Sequence, residues 1–91
     1  MGTYRTQRME SLAEQLLAGE IVRDIEDAET LITLLGVRID EENDRMHASV
    51  AVYPDEKREK VIASLNRRAG DLAYILLKKM KVKKVPFLVF E

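Results

Sequence analysis

A chain of 91 residues makes one domain, with room for a core of its own and none for a second. It contains no cysteine, which removes disulfides and thiolate metal sites and fits a reducing compartment. No apolar run approaches the length of a membrane span and no hydrophobic signal segment opens the chain, so no membrane partner and a cytoplasmic location are expected.

The first predicted element is a helix from about Tyr4 to Ile25. Met9, Leu12, Ala13, Leu16 and Leu17 follow the helical template, continued by Ile21, Val22 and Ile25, and Thr3 is a cap candidate. Arg5 and Arg8 share one flank near its start, where positive charge opposes the macrodipole; they either serve a partner or pair with an acid such as Glu14 or a carboxylate of the central segment. After Glu26 to Thr30 breaks the pattern, Leu31 to Ile39 is rich in strand formers, with Leu31, Thr33, Leu35, Val37 and Ile39 expected on one face. Asp40 to Arg45 reads as a polar hairpin loop. The return strand, Met46 to Tyr53, alternates Ala48, Val50 and Val52 against His47, Ser49, Ala51 and Tyr53.

The segment from Pro54 to Phe90 dominates the chain. Asp55 is the expected N-cap of a long helix in which Val61, Leu65, Ala69, Leu72, Leu76 and Met80 lay one apolar stripe over roughly two dozen residues. Gly70 sits inside it, and Arg68-Ala69-Gly70 reads either as a kink or as a straight helix with a tolerated glycine. Val85 to Phe90 then reads as a third strand with Pro86 near its start. The order helix, strand, strand, long or broken helix, strand predicts an α+β domain, with helices packed on one face of a three-stranded sheet.

The net charge of −1 conceals two opposed halves. From Met9 to Asp44 eleven acids face Arg23 and Arg38, a balance of −9; from Lys57 to Lys84 ten Lys or Arg face Glu59 and Asp71, a balance of +8. Such asymmetry points to an anionic partner for the basic half, the competing reading being plain solvation of a helix surface. Catalysis is not expected: His47 is the single histidine, and neither a nucleophile elbow nor a phosphate-cradling glycine loop is present. His47 reads as a half-buried structural residue with no second titrating group fixed near it in sequence. Glu41, Glu42 and Asp44 read as solvated hairpin-tip acids without the regular ligand spacing of a calcium loop. No catalytic residue, metal ligand or cofactor is assigned.

Four passages taken together resemble the ribosome-binding factor A family. They are Arg5-Thr6-Gln7-Arg8-Met9, Ala48-Ser49-Val50-Ala51-Val52, Leu65-Asn66-Arg67-Arg68-Ala69-Gly70, and the run from Met80 to Phe90. They span nearly the whole chain in the family's order. The resemblance implies a KH-like fold of the second topological class over residues 1–91, in which an Ala-x-Gly interhelical kink replaces the usual Gly-x-x-Gly clamp. Arg68 stands where the family has the kink alanine, and Asp27-Ala28-Glu29-Thr30 replaces its Asp-Pro-Arg-Leu. The implied function is that of a non-enzymatic assembly factor, acting as a monomer, that binds the immature 30S subunit and its 16S ribosomal RNA and assists late maturation and rRNA processing. Arg5, Arg8, Arg58, Arg67, Arg68, Ala69, Gly70, Lys78, Lys79, Lys81, Lys83 and Lys84 form the expected RNA-binding set. The alternative is a small α+β protein-interaction module without direct RNA binding, which the pI near 5.9 favours.

Overall fold

The computed structural model describes residues 4–24 and 29–91, with side chains described for 4–21 and 29–91. The elements run α1 (Tyr4–Asp24), β1 (Leu31–Asp40), β2 (Arg45–Tyr53), a single 3₁₀ turn (Asp55–Lys57), α2 (Arg58–Arg67), α3 (Ala69–Met80) and β3 (Phe87–Phe90). Thr3, Ile25 and most of the loop after α1 lie outside the described residues.

The sheet has the order β1-β2-β3, with β2 antiparallel to β1 and parallel to β3. Parallel neighbours cannot be joined by a tight turn, and the α2–α3 pair supplies the crossover they require. The arrangement is the expected α+β, KH-like one, with α1 packed on β1 and α3, and α2 on β2 and β3. Between helices and sheet lies one core. Leu17, Ile21, Met46, Leu72, Leu76 and Phe90 are its largest fully buried side chains, and each contributes about 1.5–3 kcal/mol by leaving water.

β2 behaves as its alternation predicts: Met46, Ala48 and Val50 are buried, and the odd-numbered residues face away. β1 does not. Its pairing runs Leu34 to Val50 and then Gly36 to Ser49, so Leu35 is an extra residue in the ladder. A bulge of this kind exchanges the two faces of a strand. Before it Ile32 and Leu34 pack on the core, and after it Val37 and Ile39 do. The single face expected for Leu31, Thr33, Leu35, Val37 and Ile39 is therefore split, with Leu31 and Leu35 each 63% exposed. Leu35→Ser is expected to change stability by no more than about 0.5 kcal/mol, whereas Leu34→Ser should cost about 2 kcal/mol or more. Urea denaturation of the two variants separates these faces, and equal losses would contradict the bulge.

The hairpin tip is also more engaged than free solvation would have it. Thr6 of α1, itself buried, donates to the Glu41 carboxylate, and the Ile39 N–H on the open edge of β1 donates to Glu10 Oε2 at 2.7 Å. Asp40 accepts from the Asn43 side-chain amide at 2.8 Å, which holds its carboxyl below the usual carboxylate range. Asp44, in the left-handed region at φ 53°, accepts through its carbonyl from the Phe87 N–H at 3.0 Å. The acids of the tip thus fasten the hairpin to α1 and to the start of β3.

Candidate nucleic-acid interface

The basic segment owes its shape to the break at Arg68. Asp55 does not cap a long helix: it begins the 3₁₀ turn, and neither that turn nor α2 has a side-chain cap. α2 runs to Arg67, and Arg68 at φ −99°, ψ 4° leaves helical geometry. Its N–H donates back to the Leu65 carbonyl at 3.1 Å and its own carbonyl accepts from Leu72 at 2.9 Å, so it closes one helix and opens the next. The bulky, charged residue at the kink position is thus compatible with the bend. Leu65, Ala69, Leu72 and Leu76 are buried on both sides of it, as a single stripe requires.

The structure divides the expected binding set by burial. Arg67, Arg68, Gly70, Lys78, Lys79, Lys81, Lys83 and Lys84 are exposed. They fall at the two ends of α3, about 15 Å apart for the ten steps of helical rise from Arg68 to Lys78, and in the segment that leads into β3. Lys81 ends α3 in the left-handed conformation, at φ 55°, a position usually taken by glycine. Ala69 is 8% exposed, so its part is to seat the break on the core. Arg58 is half-buried and donates to the Val50 carbonyl at 2.7 Å, which ties α2 to the sheet. Lys84 pairs with Asp44 at 3.1 Å, and Lys79 approaches Glu20 of α1 at 3.9 Å. The first pair is well solvated on both sides, and the second joins an exposed lysine to a mostly buried carboxylate at the limit of contact, so both hold their cations weakly. Arg5 and Arg8 are exposed on the first turns of α1, apart from the α2–α3 break in the chain.

Two features carry no signal in residue type. Asn66, at the end of α2, makes a two-way bond with the backbone of Phe90: the Phe90 N–H donates to Oδ1 at 2.8 Å and Nδ2 donates to the Phe90 carbonyl at 3.1 Å. The side chain thereby does for the outer edge of β3 what a further strand would do. His47, for its part, does have a titrating neighbour, since its Nδ1 lies 2.5 Å from Glu91 Oε1. The parallel register of β2 and β3 brings the two together across 44 residues of sequence. Among the described residues no group of three or more His, Cys, Asp or Glu is placed to hold a metal ion, and no helix is long and apolar enough to cross a membrane.

The family model of ribosome-binding factor A matches residues 5–91. The chain belongs to that family. Solved structures agree on the fold. The crystal structure of ribosome-binding factor A from Thermus thermophilus is similar at a TM-score of 0.76 and 23% identity, over 94% of this chain and 93% of that one. A homology model of the Thermus thermophilus factor, fitted into the cryo-EM map of a complex of the 30S subunit with it, is similar at 0.73 and 24%, over 91% and 89%. A Thermotoga maritima protein solved by NMR in solution reaches 0.76 at 22% identity, over 100% of this chain and 89% of that one. No curated protein matches. For a ribosome-binding factor, the broken helix is the feature to weigh: the bend expected of the family is present, with arginine at the position of its alanine.

Proposed function

We propose that this chain is a non-enzymatic assembly factor of the small ribosomal subunit. It binds the immature 30S particle and its 16S RNA in the cytoplasm as a monomer, and assists late maturation and rRNA processing there. The observation that carries this reading is the distribution of charge along α3. Arg67 and Arg68 at one end, and Lys78, Lys79, Lys81 and Lys83 at and beyond the other, are exposed around a helix whose opposite side is buried. Cations so arranged can track a phosphate backbone, and the bend offers a shape to fit against folded RNA. The acids of α1 and of the hairpin are repelled by RNA and orient the domain. Family membership and the 30S complex of the Thermus factor support the same partner. Sedimentation of a tagged copy through a sucrose gradient of cell extract tests it. Comigration with free small subunits, and not with complete ribosomes, is expected; a tag left at the top of the gradient would refute it.

A second reading, the protein-interaction module, draws on the outer face of the sheet, where Leu31, Leu35, Tyr53 and Phe87 are all more than 60% exposed. It requires a binding isotherm that barely responds to salt, whereas phosphate contacts require a steep response.

A further inference from the structure

We propose that Tyr74 is a stacking platform for an unpaired RNA base, set between the two cationic ends of α3. The inference rests on the RNA-binding reading above and adds to it a contact that is not electrostatic. Tyr74 is 58% exposed, while Ala69, Leu72 and Leu76 of the same helix are buried. Gly70, Tyr74 and Lys78 recur every four residues and so line one outward face. The Lys78 ammonium stands over the ring, 5.4 Å from its centroid, close enough for a cation–π contact. Side chains on a helix lean toward its N-terminus, so the ring inclines over the turn that carries Gly70.

That turn is bare. A Cβ at Gly70 would meet no heavy atom within 4 Å, and the residue does not use a positive φ. Neither conformation nor internal packing therefore calls for a glycine there, although glycine is a poor helix former. What its missing side chain provides is open ground beside an aromatic ring, with Arg67 and Arg68 beyond it on one side and Lys78 on the other. A flat base fits that ground while its flanking phosphates meet the cations. Tyr74 is also isolated: no other large apolar side chain of α3 is exposed, so the site lacks the contiguous patch by which a protein partner would dock. The ligand class is single-stranded RNA, because the bases of a duplex are already stacked on one another.

The test titrates the full chain with a short unstructured RNA, with the same backbone carrying abasic sites, and with a duplex. Tyr74→Ala is expected to weaken binding of the unstructured RNA about 5- to 150-fold and to leave the salt slope unchanged, because no phosphate contact is lost. Tyr74→Phe should bind like the parent. The abasic strand should bind parent and Tyr74→Ala alike, and the duplex should not distinguish them. If the parent binds with a steep salt slope and Tyr74→Ala binds just as tightly, the platform is refuted and the phosphate-binding reading stands. If the parent binds no RNA at all, that reading falls and the platform falls with it.

Discussion

Replacing Arg67, Arg68, Lys78 and Lys79 together by Glu is expected to abolish binding to the small subunit while leaving the fold in place. With about five phosphates neutralised, affinity for single-stranded RNA falls with log salt at a slope of about −3.5, and for duplex at about −4.5. Removing four of those contacts should bring the first slope to about −0.7. Relative to molar salt, where the electrostatic contribution vanishes, the loss at 0.1 M is roughly 600-fold before the repulsion of the new carboxylates is added. The cost to the fold is small because all four side chains are exposed. Glu at Lys78 and Lys79 opposes the dipole at the end of α3 by about 0.3–1 kcal/mol each, and Lys79 also gives up its distant pair with Glu20. Glu at Arg67, in the last turn of α2, costs a similar amount, and Glu at Arg68, which is both the C-cap of α2 and the N-cap of α3, is roughly neutral because it faces one unfavourable and one favourable helix end. A circular-dichroism spectrum like the parent's, together with loss of comigration in the gradient, is the expected pair of results. Reversing Arg38 and Arg45, which lie on the sheet, serves as the charge control and should weaken binding far less. Undiminished binding by the fourfold variant would reject this surface.

The parts of this site that can be read from the chain alone are those that depend on local spacing. The stripe from Val61 to Met80 continues across Gly70 without losing step, and the structure buries its central members on both sides of the break. β2 alternates, and it lies at the centre of the sheet as alternated. What spacing does not reveal depends on partners distant in sequence. Leu31 to Ile39 looks uniformly apolar whichever way it faces, and only pairing with β2 shows that Leu35 is the extra residue. Asp55 has the chemistry of a cap, yet the chain enters α2 through a 3₁₀ turn in which its carboxylate has no capping role. Asn66 gives no signal at all, because an asparagine inside a helix is ordinarily a solvent-facing residue; its function emerges only when β3 arrives with an unpaired edge. Tyr74 is hidden differently. Five aromatics are few for base recognition, but Tyr74 stands exposed between the cations of α3.

Phe90→Ala is the single substitution expected to damage the fold most. Phe90 is 2% exposed and among the largest fully buried side chains, so truncation costs about 3–5 kcal/mol in lost transfer energy and cavity, out of the roughly 5–15 kcal/mol that a domain possesses. Its backbone is held separately. In a parallel ladder alternate residues turn their N–H and carbonyl to the same neighbour. Glu91 faces β2, donating to Ala48 at 3.0 Å and accepting from Val50 at 2.9 Å, while Phe90 turns outward to Asn66. Asn66→Asp keeps the acceptor for the Phe90 N–H but sets a carboxylate oxygen against its carbonyl, at an expected cost of about 1–3 kcal/mol. The two variants should not add, since a strand end already loosened by Phe90→Ala has less left to lose at Asn66. Urea denaturation of both singles and the double measures this; additivity within about 0.5 kcal/mol would mean the contacts are independent. Asn66 lies two residues before Arg68, so its bond to β3 also sets where the helix breaks relative to the sheet. Asn66→Ala, which removes the bond without adding a charge beside Arg67 and Arg68, should therefore weaken subunit binding under conditions where the domain is still fully folded, which a purely stabilising contact would not do.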